Sequence, residues 1–298
     1  MSRTLQYKIT ETEAGLHVSQ VLSEHRFSRQ NIAELKWKKG SILLDGIPAK
    51  MSQAVECDQL LTVVVEEQKD SDQIIAADLP FDVVYEDEDL LVVNKPAGMP
   101  SQPSWYYAET SLANAAAYYW KSKGWSPFVY RCIDRLDKDT SGLLILARHA
   151  VSGAILNQMH QTGELVRTYY AIAEHGDSLP EEGVIDAPVG KDMDAANRYR
   201  VDRENGLCAR THYRKLAVKD DLALLGIQLE TGRTHQIRVH MSSTGHPLIG
   251  DSTYNPDDHR MARQALHAGK LEFPHPITGE LMIFRAEVPE DMKVYGLD

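Results

Sequence analysis

The chain reads as an α+β protein: a mixed, largely antiparallel sheet forms its body, and a small α/β domain precedes it. Three observations predict this. Short apolar runs recur at Leu90–Asn94, Leu143–Ala147, Leu165–Ala173, Ala209–Val218, Leu222–Glu230, Ala265–Leu271 and Leu281–Ala286, as strands do when they build one sheet. Few helical segments lie between them, so most neighbours can pair antiparallel without long crossovers. Residues 1–66 follow a different plan and are set apart from the body, 81–298, by a polar, acidic stretch, 67–80. A length of 298 residues suits such a two-domain division.

Taken in order, Gly15–Leu22 and Ser28–Leu35 read as short helices, with Ser28 as N-cap of the second. Ser41–Gly46 is a strand running into an Asp-Gly turn, and Leu60–Val65 is another strand. The acidic stretch is too poor in apolar residues to build a core, so it is expected to act as a linker with interdomain freedom. Beyond it, Leu90–Asn94 ends at the turn Lys95–Gly98. Thr110–Lys123 reads as a helix stopped by Gly124, and Ala150–Gln161 as a helix ended by Gly163. Asp220-Asp221 turns a hairpin, and residues 274–279 turn the last one.

Hydrophobic content of 43% and charged content of 25% are ordinary for a globular protein. No apolar run approaches the ~18 residues of a membrane span, and MSRTLQYKITETEAG lacks the apolar core of a signal peptide. The three cysteines, Cys57, Cys132 and Cys208, are scattered and odd in number. They predict free thiols in a reducing cytoplasm, with neither a disulfide framework nor a zinc site. A net charge of −11 argues against a general nucleic-acid binder. Basic residues nevertheless cluster at Arg26, Arg29, Lys36, Lys38, Lys39 and Lys50, and again at Arg198–Arg214.

Two runs carry chemistry. Asp134–Arg148, DRLDKDTSGLLILAR, sets Arg135 and Asp137 in a polar loop that gives way at once to an apolar strand. Taken alone, Asp137 and Asp139 read more simply as turn residues before Gly142. Leu229–Asp251 places Arg233, His235, Gln236, Arg238 and His240 within eight positions. If Thr234 caps a helix there, Arg238 falls on its second turn beside His235.

Together these runs resemble the RluA/RluD family of RNA pseudouridine synthases, which carries an HRLDxxTSG loop and a GRTHQIRVH segment. Tyr85–Ser104, YEDEDLLVVNKPAGMPSQPS, and Val166–Ala173, VRTYYAIA, match as well. The resemblance spans about Phe81 to Pro289. It implies that the body is catalytic, with its active site in a cleft across the sheet, and that specific uridines in RNA are isomerised after the base is flipped out. It assigns catalysis to Asp137, its arginine partner Arg238, and Tyr169, whose ring packs on the target base. It assigns to Arg135 the space left by the flipped nucleotide. Thr140, Arg167, Arg233 and Gln236 are expected to touch substrate. Two positions depart from the family pattern: Asp134 stands where His is usual, and Arg167 where Lys is frequent. Asp134 puts a negative charge near Asp137, which either raises the Asp137 pKa or is screened by Arg135.

The first 66 residues resemble the RNA-binding domain named after ribosomal protein S-four, which implies an RNA-facing surface carrying Arg29, Lys36, Lys38 and Lys39. No cofactor is expected, because an isomerisation involves no net redox change and no ligand cluster of credible spacing occurs; no metal is expected either. The expected partner is RNA, ribosomal more than transfer, in the cytoplasm and away from membranes, with a monomer as the default. The alternative is an inactive RNA-binding or ribosome-assembly factor of the same fold.

Overall fold

A computed structural model describes residues 2–67, 70–195 and 197–296. The N-terminal part forms β1 (Ser2–Lys8), α1 (Val18–Glu24), α2 (Arg29–Trp37), β2 (Ile42–Leu44), β3 (Ile47–Pro48) and β4 (Leu60–Glu66). Ser28 caps α2, its hydroxyl accepting from Asn31 N at 3.1 Å. Asp45 and Gly46 both take positive φ, 49° and 81°, the twist that a two-residue hairpin needs. β1 has no counterpart in the sequence reading. Its composition, SRTLQYK, is mostly polar and only Leu5 is buried, yet it pairs with β4 from Ser2↔Glu66 to Lys8↔Leu60. It is an edge strand, so one buried side chain is enough.

The remainder contains β5 (Asp82–Glu86), β6 (Leu90–Lys95), α3 (Leu112–Ser122), β7 (Cys132–Ile133), β8 (Ser141–Ala147), α4 (Ala150–Thr162), β9 (Val166–Glu174) and β10 (Glu182–Asp186). There follow β11 (Val189–Lys191), β12 (Tyr199–Val201), β13 (Arg210–Lys219), β14 (Leu222–Leu229), α5 (Gln236–Ser243), β15 (Leu266–Pro274), β16 (Leu281–Arg285) and α6 (Glu290–Lys293). Ten strands form one sheet along the path β10-β13-β14-β9-β15-β8-β6-β5, with β16 on β15 and β7 on β8. Every pairing in it is antiparallel except β15–β8, which is parallel over two residue pairs, His267↔Ser141 and Ala268↔Gly142.

The solid apolar runs of β6 and β8 follow from burial on both faces. Leu90, Val92, Leu143 and Ile145 join the cluster that includes α4, whereas Leu91, Val93, Leu144 and Leu146 join the one beneath α3. The first cluster continues into the N-terminal part through Leu5, Val21 and Val65.

The acidic stretch departs from its expected freedom. Ser71 N donates to Phe128 O at 2.7 Å, Ala77 N to Asn114 O at 3.1 Å, and Asn114 Nδ2 to Ile75 O at 2.7 Å. Ile74 and Leu79 pack against the core beneath α3. Two apolar anchors and fixed backbone partners are enough to dock it; Gln68 and Lys69 lie outside the described residues. Ion pairs brace the same junction: Arg3–Asp89 at 2.8 Å, Arg26–Glu164 at 2.8 Å and Arg131–Glu67 at 2.6 Å.

Gly142 makes the parallel pairing possible. Its φ is +118°, and a β-carbon there would lie 2.3 Å from the Ala268 carbonyl oxygen, on backbone that cannot step aside. Gly142→Ala should therefore lower stability by about 2 kcal/mol or more. Urea unfolding checks this, and an unchanged midpoint would mean that the two strands can part locally without loss.

Candidate active site

The parallel contact brings the starts of β8 and β15 together, and the loop of residues 134–140 leads into β8. Three other segments hold that loop. Ser101 Oγ donates to Leu136 O at 2.6 Å and accepts from Leu136 N at 3.1 Å. Gln264 Nε2 donates to Thr140 Oγ1 at 3.2 Å. Lys95, wholly buried, donates to Met99 O at 2.7 Å, Pro96 O at 2.9 Å and Lys138 O at 3.0 Å. Burial pushes its ammonium down to about 7, yet three carbonyl acceptors match the three protons of the charged form. With the backbone so fixed, the Asp137 carboxylate lines a cavity of about 350 Å³ shared with Arg135, Tyr169, Arg238 and Tyr107.

Arg238 reaches Asp137 Oδ2 through Nη1 at 3.2 Å. Its other two nitrogens grip Asp251, Nε to Oδ2 and Nη2 to Oδ1, both at 2.7 Å. This is a planar two-bond fork on a fully buried carboxylate. Burial alone would push the Arg238 guanidinium down; the bonds to Asp251 and the charge of Asp137 outweigh it and hold the cation above its usual range. The helix that presents Arg238 starts differently from the expectation. Thr234 is not the cap; His235 is, in left-handed conformation at φ 57°, so Arg238 lies on the first turn. Gln236 folds back to accept from Arg233 N at 3.0 Å and Thr231 Oγ1 at 2.9 Å. That orders the turn without a cap hydroxyl.

Tyr169 lies on β9 with Arg167 two residues before it, on the same face. Arg167 Nη1 donates to the Tyr169 hydroxyl at 3.3 Å and pairs with Asp134 Oδ2 at 2.5 Å. Burial pushes the Tyr169 hydroxyl up to about 12, so it stays protonated at neutral pH. Asp134 is thus neutralised by Arg167 and not by Arg135. The Arg135 guanidinium is exposed at the cavity, with no hydrogen bond or ion pair among the described residues.

Three of the residues expected to touch substrate are buried with protein partners of their own, and two of them, Thr140 and Gln236, also line the cavity. Gln236 is buried, and its amide nitrogen is also occupied, by Arg210 O at 3.0 Å and Thr211 Oγ1 at 3.1 Å; it braces the turn. Thr140 is buried and tied to Gln264. Arg167 is buried behind Tyr169. Arg233 stays exposed at the cavity, with Nε donating to Cys208 O at 3.0 Å.

The sequence reading did not assign Asp251. The available signal was a carboxylate ending the apolar run Leu248-Ile249-Gly250, since a buried carboxylate needs a cation. It also missed His235 as a neighbour of Asp137, Nε2 to Oδ2 at 3.8 Å. Among the described residues, the metal-ligand-like group Asp87, Asp89 and His275 lies outside the cavity. There His275–Asp87 and His149–Asp89 already pair, each at 2.8 Å.

A family model described as RNA pseudouridylate synthase matches residues 89–243, which hold the loop, Tyr169 and Arg238. The chain belongs to the RNA pseudouridine synthase family. The uncharacterized RNA pseudouridine synthase YjbO of Bacillus subtilis is 37% identical over 275 residues, covering 92% of this chain and 96% of its own. The ribosomal large subunit pseudouridine synthase D of Zymomonas mobilis is 35% identical over 314 residues, covering 98% and 96%. These full-length matches place the synthase with the RluA/RluD type. Human RNA Pseudouridylate Synthase Domain Containing 4 shares the fold at a TM-score of 0.59 and 24% identity, over 72% of this chain and 91% of that one. The enzyme is an isomerase that turns uridine in RNA into pseudouridine.

The fork predicts a strong effect away from the reacting atoms. Asp251→Asn leaves the synthase with a buried guanidinium short of one countercharge. It should lose roughly 3–5 kcal/mol of stability and at least tenfold in turnover at saturating RNA, read by urea unfolding and pseudouridine quantitation. Wild-type values on both would show that Arg238 is held by Asp137 alone.

Proposed function

We propose that the synthase modifies large-subunit ribosomal RNA in the cytoplasm, as a monomer, with Asp137 as the catalytic carboxylate. The observation that carries the mechanism is the Asp137–Arg238 ion pair at 3.2 Å beside the Tyr169 ring, in a cavity of about 350 Å³, the small end of ligand-pocket sizes. The reaction breaks the bond from the sugar to a base nitrogen, turns the base, and rebonds the sugar to a base carbon. That carbon loses its proton and the freed nitrogen gains one, so nothing is oxidised and no cofactor is needed. The target base must leave its stack to enter the cavity, and the unpaired Arg135 stands ready for the space it vacates. Asp137, held in place by Arg238, acts at the anomeric carbon as nucleophile or base. Tyr169 presents its ring to the base while it turns, with its hydroxyl neutral.

The ribosomal target is supported by relatives of nearly full length named for the large subunit, at 33–35% identity. Large-subunit RNA from a strain lacking the protein should lack a pseudouridine that wild type restores and Asp137→Asn does not, although that variant folds and binds RNA. Turnover by Asp137→Asn near wild type would overturn the mechanism. A pseudouridine missing from transfer RNA instead would overturn the target.

Residues 1–66 are proposed to dock RNA. Arg29, Lys36 and Lys39 on and after α2 are exposed, and Lys36 lies 5.7 Å from the ring of exposed Trp37. Lys38 is a weaker candidate, because it pairs with Glu66 at 2.5 Å. Deleting the domain would also uncover Leu90 and Val92 and break Arg3–Asp89, so substitution is the cleaner test. Replacing Arg29, Lys36 and Lys39 with Ala should raise KM severalfold and flatten the salt dependence of binding while leaving kcat unchanged. An unchanged salt slope would remove the domain from RNA docking.

A further inference from the structure

Pro100–Ala108 forms one rim of the cavity and carries three consecutive aromatics, Trp105, Tyr106 and Tyr107. Trp105 is 93% exposed and Tyr106 86%. Neither ring has an aromatic or cationic neighbour among the described residues, whereas Trp120 and Trp125 pack on each other at 5.2 Å. Adjacent large rings left bare in water are an unfavourable use of apolar surface unless something covers them.

The rim is not a loose loop. Leu112 N donates to Pro100 O at 2.8 Å, Asn114 Nδ2 to Ala108 O at 2.9 Å, and Tyr107 N to Ser104 O at 3.0 Å. The Ser101–Leu136 bonds join it to the Asp137 loop. Tyr107 lines the cavity, and Lys138, next to Asp137, sets its ammonium 5.3 Å from the Tyr107 ring centre. Bare rings, a ring on the cavity wall and a cation therefore succeed one another from solvent to the catalytic loop.

We propose that Trp105 and Tyr106 form a stacking platform for the unpaired bases that flank the target uridine, with Lys138 facing the backbone phosphates between them. This rests on the reading that the cavity receives a flipped uridine. Extruding one base leaves its neighbours without a stacking partner, and exposed aromatic rings accept any base face with little regard to sequence. The occupant is thus single-stranded RNA continuous with the nucleotide in the cavity.

The test uses the full-length enzyme and total RNA from cells lacking it. Trp105→Ala with Tyr106→Ala should raise KM roughly tenfold or more and change kcat less than twofold, with the unfolding midpoint unchanged because the rings face water. Trp105→Phe with Tyr106→Phe should recover most of the affinity. In a Trp37→Phe background, a mixed-sequence ten-nucleotide single-stranded RNA should quench tryptophan emission, and Trp105→Phe should abolish that quench. A KM within twofold of wild type in the double alanine variant, or equal loss of affinity for a fully duplex RNA, would overturn the platform while leaving the cavity reading intact. If the unsubstituted enzyme forms no pseudouridine in total RNA, the cavity reading fails instead, and affinity for the ten-nucleotide RNA still decides the platform.

Discussion

The buried fork between Arg238 and Asp251 is the interaction on which the site depends. A guanidinium this deep would normally be an electrostatic burden, since desolvation can exceed the Coulombic gain of an ion pair. Two bonds at 2.7 Å to a carboxylate with no solvent exposure satisfy Nε and Nη2 and fix the plane of the group. The remaining nitrogen, Nη1, then has one direction left, toward Asp137 at 3.2 Å. A lysine could hold one carboxylate but not aim a second bond in this way. The Asp137 carboxylate is thus oriented, through Arg238, by Asp251, a buried residue that does not line the cavity.

That orientation has value only because the loop carrying Asp137 is equally rigid. Ser101 and Lys95 clamp its backbone and Gln264 holds the Thr140 hydroxyl, from three parts of the chain, and the close approach at Gly142 anchors its exit into β8. The two covered faces of the sheet keep β6 and β8 dry, so these bonds face little competition from water.

Asp134 and Arg167 show how two local departures from a family pattern can be one feature. In the sequence they are an acid where His is usual and an arginine where Lys is frequent, 33 residues apart. In the fold they are a pair at 2.5 Å, Arg167 buried and Asp134 partly so, whose arginine also donates to the Tyr169 hydroxyl. A new negative charge near Asp137 is therefore absorbed without enlisting Arg135, which stays unpaired at the cavity.

Much of this is legible in the amino-acid sequence. Strands with both faces buried announce themselves as unbroken apolar runs, and turns such as Asp45-Gly46 and Asp220-Asp221 as short polar breaks. The loop, the β9 segment and the helix carry enough motif identity to single out Asp137, Tyr169 and Arg238, and the fold brings all three to one cavity. The polar edge strand β1 is not legible, because its stability comes from pairing with β4 and not from its own pattern. Nor are the roles of Gln236, Thr140 and Arg167, whose types suit substrate contact equally well. Only the tertiary structure supplies their partners, such as Gln264 and Thr211, which lie far along the chain. Asp251 belongs to the same class. Spacing along a chain encodes which residues share a helix face or a strand, but not which buried charge will find which counter-ion, and that is decided when the sheet brings distant loops together.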